Sequence, residues 1–117
     1  MQDFRNLKVW EKAHKFTLKI YDKTSSFPKE EMYSLTSQVR RATYSISANI
    51  AEGCGRHTKR ELIRFLQIAM GSASEVEYFL LLAKDLNYLN MENLVDVEND
   101  ITEIKKMLSS LIKKLRS

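Results

Sequence analysis

Apolar residues recur every three or four positions along most of the chain, which is the spacing of one face of an α-helix. Four segments carry this pattern. The first, from about Asn6 to Thr24, has two apolar stripes: Val9, Ala13, Phe16 and Ile20 form one, and Leu7, Trp10, His14, Leu18 and Tyr21 form the other. A helix with two apolar stripes is covered on both sides. The segment therefore predicts contact with a second subunit as well as with the core.

A second helix is predicted to begin directly after Phe27-Pro28, because proline is tolerated in a first helical turn. Its apolar stripe comprises Met32, Leu35, Val39, Ala42, Ile46 and Ile50. Small side chains crowd its second half, which lets a neighbouring helix approach closely. Gly53 and Gly55 are expected to close it.

The third helix is predicted from a capping box at Thr58 and Glu61 and from a segment, Leu62 to Leu86, that is apolar nearly all round. Such a helix is buried on most faces, and a 117-residue monomer offers little cover for it. A subunit interface is therefore expected here. Asn87 is expected to stop the helix.

Asn90 is suited to cap a fourth helix, whose apolar residues alternate spacings of three and four without interruption. They are Leu94, Val97, Ile101, Ile104, Leu108, Leu111 and Leu115. No linker is long enough to separate two domains. The sequence therefore predicts an all-α fold, an antiparallel up-down four-helix bundle, with residues 1–117 as a single domain.

Composition agrees with long helices, since the chain has three glycines, one proline and 44% hydrophobic residues. The single cysteine, Cys54, excludes an internal disulfide and fits a reducing setting. The amino terminus does not have the pattern of a signal peptide, and no uncharged apolar run approaches the roughly 20 residues that span a bilayer. We expect a cytoplasmic protein without a membrane role.

Charge is distributed unevenly along the chain. Residues 1–64 carry 13 Lys/Arg and 7 Asp/Glu, a net +6, and residues 65–104 carry 1 and 8, a net −7. Residues 105–117 carry five basic and no acidic residues. The basic regions are candidates for a surface that faces RNA. Ordinary solvated charge, with opposite charges matched between neighbouring subunits, explains the same distribution equally well.

Two basic clusters are the candidate nucleic-acid contacts, one at the turn between the second and third helices and one on a face of the first helix. The turn cluster comprises Arg56, Lys59, Arg60 and Arg64, and the first-helix cluster comprises Lys8, Lys12 and Lys15. Such clusters neutralise phosphates, and oligomerisation would repeat them around an assembly. Because no recognition motif with stacking aromatics is present, binding is expected to be electrostatic and weakly sequence-specific. A solubilising surface is the competing interpretation.

No catalytic or metal site is predicted, and no cofactor is expected. Ser45, Glu52, Cys54 and His57 are close in sequence, but no spacing enforces a nucleophile, a base and an orienting third group. Cys54 is interpreted as a passive turn residue, His57 as a solvated one, and His14 as a packing or interface residue. A metal ion would need more ligands than these.

One stretch is more distinctive than helical patterning requires. It comprises Gln38-Val39-Arg40-Arg41-Ala42, then Ser45 to Gly53 ending in Asn49-Ile50-Ala51-Glu52-Gly53, then Gly55-Arg56, then Phe65 to Glu75 ending in Ala69-Met70-Gly71-Ser72-Ala73-Ser74-Glu75. Together with Phe4, Leu7, Val9-Trp10 and the Phe27-Pro28 turn, it resembles the four-helix-bundle family of 23S rRNA intervening-sequence proteins. The resemblance extends to about Leu89, and the fourth helix matches only in pattern.

The resemblance implies a cytoplasmic bacterial bundle that assembles as a ring-like homopentamer. Some members of the family are encoded within ribosomal RNA insertions, and a similar basic bundle binds nucleic acid as an accessory to the reverse transcriptase of diversity-generating retroelements. The partners it suggests are rRNA or another structured nucleic acid, and a reverse transcriptase. We interpret the chain as a non-catalytic oligomer that binds structured RNA. The alternative is an oligomeric scaffold for a protein partner, with no nucleic-acid role.

The polar residues of the same stretch are interpreted as structural. An antiparallel hairpin of the second and third helices pairs positions whose numbers sum to about 112 to 116, which places Arg41 near Gly71 and Glu75, and Gln38 near Glu75. We expect Arg41, or otherwise Arg40, to form a partly buried ion pair with Glu75. Gly71 is expected to remove a side chain where the two helices meet.

Asn49 and Glu52 are expected to cap or bridge the helix ends near the turn. The rival interpretation is enzymatic, with Glu52 and Glu75 facing a common cavity as an acid–base pair.

Overall fold

The computed structural model describes residues 2–117 and contains helices and turns but no β-strand in that range. Helix α1 spans Lys8–Thr24, α2 spans Leu35–Cys54, α3 spans Lys59–Asp85 and α4 spans Met91–Arg116. Single 3-10 turns at Phe4–Asn6 and Lys29–Glu31 precede α1 and α2. No helix within residues 2–117 is long and apolar enough to cross a membrane.

Each helix packs against two others, so that α1 contacts α2, α2 contacts α3, α3 contacts α4, and α4 contacts α1 again. Contacts at both ends of the α1–α2 pair show its direction. The N–H of Gln2 donates to the carbonyl of Cys54 at one end (3.2 Å), and Arg40 Nε donates to Thr24 Oγ1 at the other (2.9 Å). The molecule extends 43 × 24 × 19 Å. The predicted all-α, up-down four-helix bundle is confirmed.

A single hydrophobic core runs along the bundle axis and uses the stripes that the helical spacing predicts. Its largest fully buried side chains are Phe16, Ile20, Ile46, Ile50, Leu66, Leu80, Ile101, Ile104 and Leu108. The prediction for the end of α4 is wrong in part, because Ile112 is buried while Leu111 and Leu115 are only partly buried. Beyond Leu108 the buried face follows the 3.6-residue period of a straight helix and departs from a strict heptad.

The start of α2 also differs from the prediction. Pro28 opens only one 3-10 turn, and Ser34 leaves helical geometry (φ −127°, ψ −108°), so α2 begins at Leu35. The Glu31 carboxylate accepts the N–H of Leu35 (3.3 Å) and the hydroxyl of Tyr88 (2.8 Å), which ties this connection to the α3–α4 connection. Met32, assigned to the core stripe by its spacing, is instead 47% exposed.

The predicted helix ends of α3 and α4 are confirmed by their hydrogen bonds. Thr58 Oγ1 accepts the N–H of Glu61 (3.1 Å) and Asn90 Oδ1 accepts the N–H of Asn93 (2.8 Å), so both N-termini carry side-chain caps. Asn87 adopts a left-handed conformation (φ 66°), and the N–H of Tyr88 donates back to the carbonyl of Ala83 (2.8 Å). This geometry terminates α3 at its carboxyl end.

The expectation that Gly71 relieves crowding between α2 and α3 is wrong. A Cβ atom at position 71 would meet no atom within 4 Å, because this position faces outward. The close approach lies instead at Gly53, where a Cβ would be 2.9 Å from Phe65 Cβ and 3.0 Å from Leu62 Cδ1. The end of α2 therefore approaches the start of α3 most closely at position 53, where any larger residue would force a local shift.

We expect Gly53→Ala to lower the free energy of unfolding by about 1 kcal/mol. Overpacking against the Phe65 Cβ costs about 1–3 kcal/mol, and the better helix propensity of alanine returns about 0.5–1 kcal/mol. Urea denaturation followed by circular dichroism measures the difference.

Gly55→Ala is the matched control two residues away. Its Cβ would contact only carbonyl oxygens, the nearest at 3.5 Å, and its φ of −82° suits any residue, so stability should be nearly unchanged. Equal stability of Gly53→Ala and the wild type would contradict the close approach.

Candidate nucleic-acid interface

The start of α3 lies beside the end of α4, because these two helices are antiparallel, and their side chains line an open groove of about 830 Å³. Ile63 and Leu115 supply apolar groups to the groove. Its basic side chains are Lys59, Arg60, Arg64 and Arg116, which together are called the basic end. The structure thus joins two basic regions that are more than 50 residues apart in sequence.

The cationic groups of the basic end are uncommitted within the chain. None of the four takes part in an ion pair within residues 2–117. The positive end of the α3 dipole lies in the same region and favours an anion there. A groove with several unpaired cations and an apolar lining suits phosphate groups with attached apolar or aromatic moieties.

Arg56 belongs to the predicted turn cluster, but the structure gives it a different setting. Its Nη2 lies 3.1 Å from Glu52 Oε2, its Nε lies 4.0 Å from Glu61 Oε2, and its guanidinium lies 4.9 Å from the centre of the Phe65 ring. The positive charge is therefore largely matched inside the turn. Arg56 and Glu52 bridge the end of α2 to the start of α3.

The lysines of α1 also have partners inside the chain. Lys19 Nζ lies 2.6 Å from Asp100 and 3.2 Å from Asp96, and Lys12 Nζ lies 3.6 Å from Asp100. Lys23 extends the series to Asp96 at 3.8 Å. The hydrogen bond to Asp100 is the main reason that the pKa of Lys19 is raised above its ordinary value. The ion pairs of Lys12, Lys19 and Lys23 with Asp96 and Asp100 are called the α1–α4 ladder. They join two helices that are distant in sequence.

Two of the three first-helix candidates are therefore engaged. Lys12 belongs to the ladder, and Lys15 Nζ lies 3.3 Å from Glu11 on the exposed side of α1. Lys8 lines a second groove with Lys106 and Lys114, so it is the one member of the predicted cluster that the structure places beside other cations.

The predicted ion pair of Arg41 with Glu75 is wrong, and so is its alternative with Arg40. Arg41 and Glu75 are both exposed and form no ion pair within residues 2–117. Both positions project from the outer face of the α2–α3 hairpin, where an ion pair contributes little. Arg40 turns the other way, donates to Thr24 and lies 4.7 Å over the Tyr21 ring.

The α2–α3 contact is instead bridged by a small polar network. Ser45 Oγ lies 2.9 Å from Ser72 Oγ across the two helices, and Asn49 Nδ2 donates to the carbonyl (2.8 Å) and hydroxyl (3.0 Å) of Ser45. Asn49 thus acts in the middle of the hairpin, where the prediction placed it at a helix end. Gln38, assigned to the same network by its position, is exposed.

The residues of the enzymatic interpretation do not converge. Glu52 lies at the turn, whereas Glu75 lies about 11 residues further along α3 than the level of Glu52, roughly 16 Å at 1.5 Å per residue. The Cys54 thiol is buried, and this burial raises its pKa above the ordinary value of 9.0, which disfavours the nucleophilic thiolate. His57 is exposed beside it in a shallow cleft. Within residues 2–117 no group of three or more His, Cys, Asp or Glu side chains is placed to hold a metal ion.

Sequence reasoning omitted Arg116 from the site. The missing information was the register of the α3–α4 hairpin, since the 2.7 Å pair of Glu77 with Lys105 sets position 66 opposite Arg116, next to the start of α3. The basic tail and the turn cluster were each visible in the sequence, but only this register brings them together.

Two comparisons place the chain among known proteins. A family model described as "23S rRNA-intervening sequence protein" matches residues 5–110. A solved structure of a protein of unknown function from the S23 ribosomal protein family of Bacteroides thetaiotaomicron VPI-5482 is 32% identical, with a TM-score of 0.83. That match covers 90% of this chain and 95% of the other. No curated protein matches the chain.

We expect Asp100→Asn to lower the free energy of unfolding by about 0.5–1 kcal/mol at neutral pH, because Lys12 and Lys19 are both deprived of their shared partner. The raised pKa of Lys19 means that its contribution to stability is present below pH 10.5 and is lost as the pH rises through the folded-state value. The difference between the variant and the wild type should therefore shrink above pH 10.5. Urea denaturation at several pH values measures it.

Glu103→Gln is the control, since it removes one carboxylate from an exposed position of α4 that is outside the ladder. An equal loss of stability in both variants would mean that overall charge, and not the ladder, is responsible.

Proposed function

We propose that this chain, which belongs to the family of 23S rRNA-intervening sequence proteins, is a non-catalytic, self-associating bundle that binds structured RNA through its basic end. The observation that carries the proposal is the convergence of Lys59, Arg60, Arg64 and Arg116 on one groove without an ion pair within residues 2–117. The family description adds 23S rRNA as the class of nucleic acid to test first. We also propose that the protein acts in the cytoplasm.

The contacts are electrostatic in this proposal. Arginine and lysine side chains in an open groove neutralise phosphates and read shape, and they leave base identity largely unread. The formal net charge of +4 is modest, but local charge is what an RNA backbone meets: the α1–α4 ladder pairs Lys12, Lys19 and Lys23 with carboxylates, whereas the basic end is left unpaired within residues 2–117. Lys8, with Lys106 and Lys114, is the second place where an RNA backbone would find cations.

Self-association forms part of the same proposal, with five subunits as the number that the family resemblance suggests. Large apolar side chains are exposed on the single chain, among them Leu18 (59%), Tyr78 (57%) and Leu81 (46%). These three lie on α1 and α3, the two helices whose apolar patterns exceed what one core needs, and Met91 and Val95 of α4 are exposed as well. Assembly would repeat the basic end, so that the weak affinities of single copies add together.

A scaffold for a protein partner is the second candidate, and a specific observation favours it. Tyr33 is 96% exposed and Met32 is 47% exposed in the connection before α2, at the end of the bundle opposite the basic end. Exposed aromatic side chains on a connection are common anchors of protein contacts. A reverse transcriptase is one such partner to test.

The RNA proposal predicts that Arg60→Gln with Arg64→Gln weakens binding to structured 23S rRNA transcripts across many sequences. The salt dependence should also flatten, by about one unit of log–log slope for each phosphate that the variant no longer neutralises. Electrophoretic mobility shifts or fluorescence anisotropy over a salt series give both quantities.

The matched control is Lys29→Gln with Arg41→Gln, which removes the same charge from exposed positions outside the basic end. Equal weakening by both double variants would assign binding to net charge alone. Undetectable binding of RNA by the wild type at low salt, with capture of a defined protein partner, would favour the scaffold.

A further inference from the structure

The first observation is an aromatic and apolar stripe on α1 that the single chain covers only at Trp10, which packs against the core and Phe4, and leaves exposed further along the helix. It comprises Trp10, His14, Leu18 and Tyr21, called the α1 stripe. The Trp10 and His14 rings are stacked, with centroids 5.0 Å apart and planes 7° apart, and Leu18 and Tyr21 are 59% and 41% exposed. The Arg40 guanidinium lies 4.7 Å over Tyr21. Rings held in place by stacking lose little freedom when a partner covers them.

The second observation is the position of Gly71, in the interior of the longest helix. Glycine lowers helix stability relative to alanine, yet a Cβ here would meet nothing within 4 Å. The single chain therefore shows no need for glycine at this position. Ile68, Glu75 and Tyr78 lie on the same outer face at helical spacing and are all exposed. Together these four residues are called the Gly71 face, which has a notch between two large apolar side chains.

The two surfaces carry charged side chains of opposite sign. The Arg40 guanidinium borders the stripe, and the Glu75 carboxylate is exposed on the Gly71 face; neither group forms an ion pair within residues 2–117. Like surfaces brought together would repel, whereas unlike surfaces would attract.

We infer that the α1 stripe of one copy packs against the Gly71 face of the next copy. This inference rests on the self-association in the proposed function and names the surfaces that carry it. The notch at Gly71 admits a large side chain of the stripe, and Glu75 faces the basic margin of the stripe. The contact is heterologous, because two different surfaces meet, so that each copy donates one surface and receives the other.

Two single substitutions test the inference by blocking one surface each. Gly71→Gln fills the notch with a residue of good helix propensity, and Leu18→Glu places a negative charge in the stripe at an exposed position. Each variant should keep its helical circular dichroism and become monomeric in sedimentation velocity, with a dissociation constant raised at least tenfold. Ser110→Gln, an equivalent change at an exposed position of α4, should stay assembled.

A mixture of the two variants tests the pairing of the two surfaces more directly than either variant alone. Each retains the surface that is blocked in the other, so an equimolar mixture should form a one-to-one heterodimer and no larger species. A mixture that stays monomeric, or a variant that stays fully assembled alone, would overturn the pairing of these surfaces. Loss of RNA binding by Leu18→Glu without a change of size would also overturn it and assign the stripe to nucleic acid.

The size of the wild-type protein in solution distinguishes failure of this inference from failure of the proposed self-association. A wild-type chain that is monomeric at micromolar concentration would overturn self-association altogether. A wild-type assembly that none of the substitutions affects would overturn only the choice of surfaces.

Discussion

The close approach of α2 to α3 at Gly53 is the constraint on which the rest of this bundle depends. A side chain at this position would crowd Phe65 and Leu62, so glycine lets the two helices meet immediately before their turn without a local shift. The turn is then short, and Arg56 can bridge Glu52, Glu61 and the Phe65 ring across it. Because α3 starts at this level, Lys59, Arg60 and Arg64 lie beside the end of α4.

The α1–α4 ladder connects the first helix to the last. It also pairs some of the positive charges with carboxylates, while other cations have no ion pair within residues 2–117. The carboxylates of Asp96 and Asp100 engage three lysines of α1, at a seam between helices that no short loop connects. The individual pairs are partly exposed, so their value is more in orientation than in stability. Three lysines of α1 are matched in this way, whereas Lys59, Arg60, Arg64 and Arg116 share one groove without an ion pair within residues 2–117.

Helical periodicity was sufficient to predict four helices, their caps at Thr58 and Asn90, and almost the whole core, since each depends on residues close in sequence. The family resemblance rested on the same kind of local signal, the Asn49–Gly53 string, and the family match over residues 5–110 confirms it. Predictions that needed the rotation of one helix against another failed. Arg41 and Glu75 lie at the same level of the hairpin, but both project outward, and Gly71 faces open space for the same reason. Spacing along one helix does not determine that rotation, which depends on the packing of all four.

The outward rotation of α3 also connects the two proposals. If the turn of α3 that carries Gly71 receives a neighbouring α1, the exposed residues before it, Lys59 to Arg64, lie on the same helix roughly two to three turns from that contact. Copies related by rotation about an axis along the bundles would then carry their basic ends on one side of the assembly. RNA that bridges several such ends binds with an avidity that one groove lacks, and each added contact releases further counterions. In the two proposals, self-association and RNA binding would thus depend on the same geometric fact, that the outward apolar face and the basic groove share one helix.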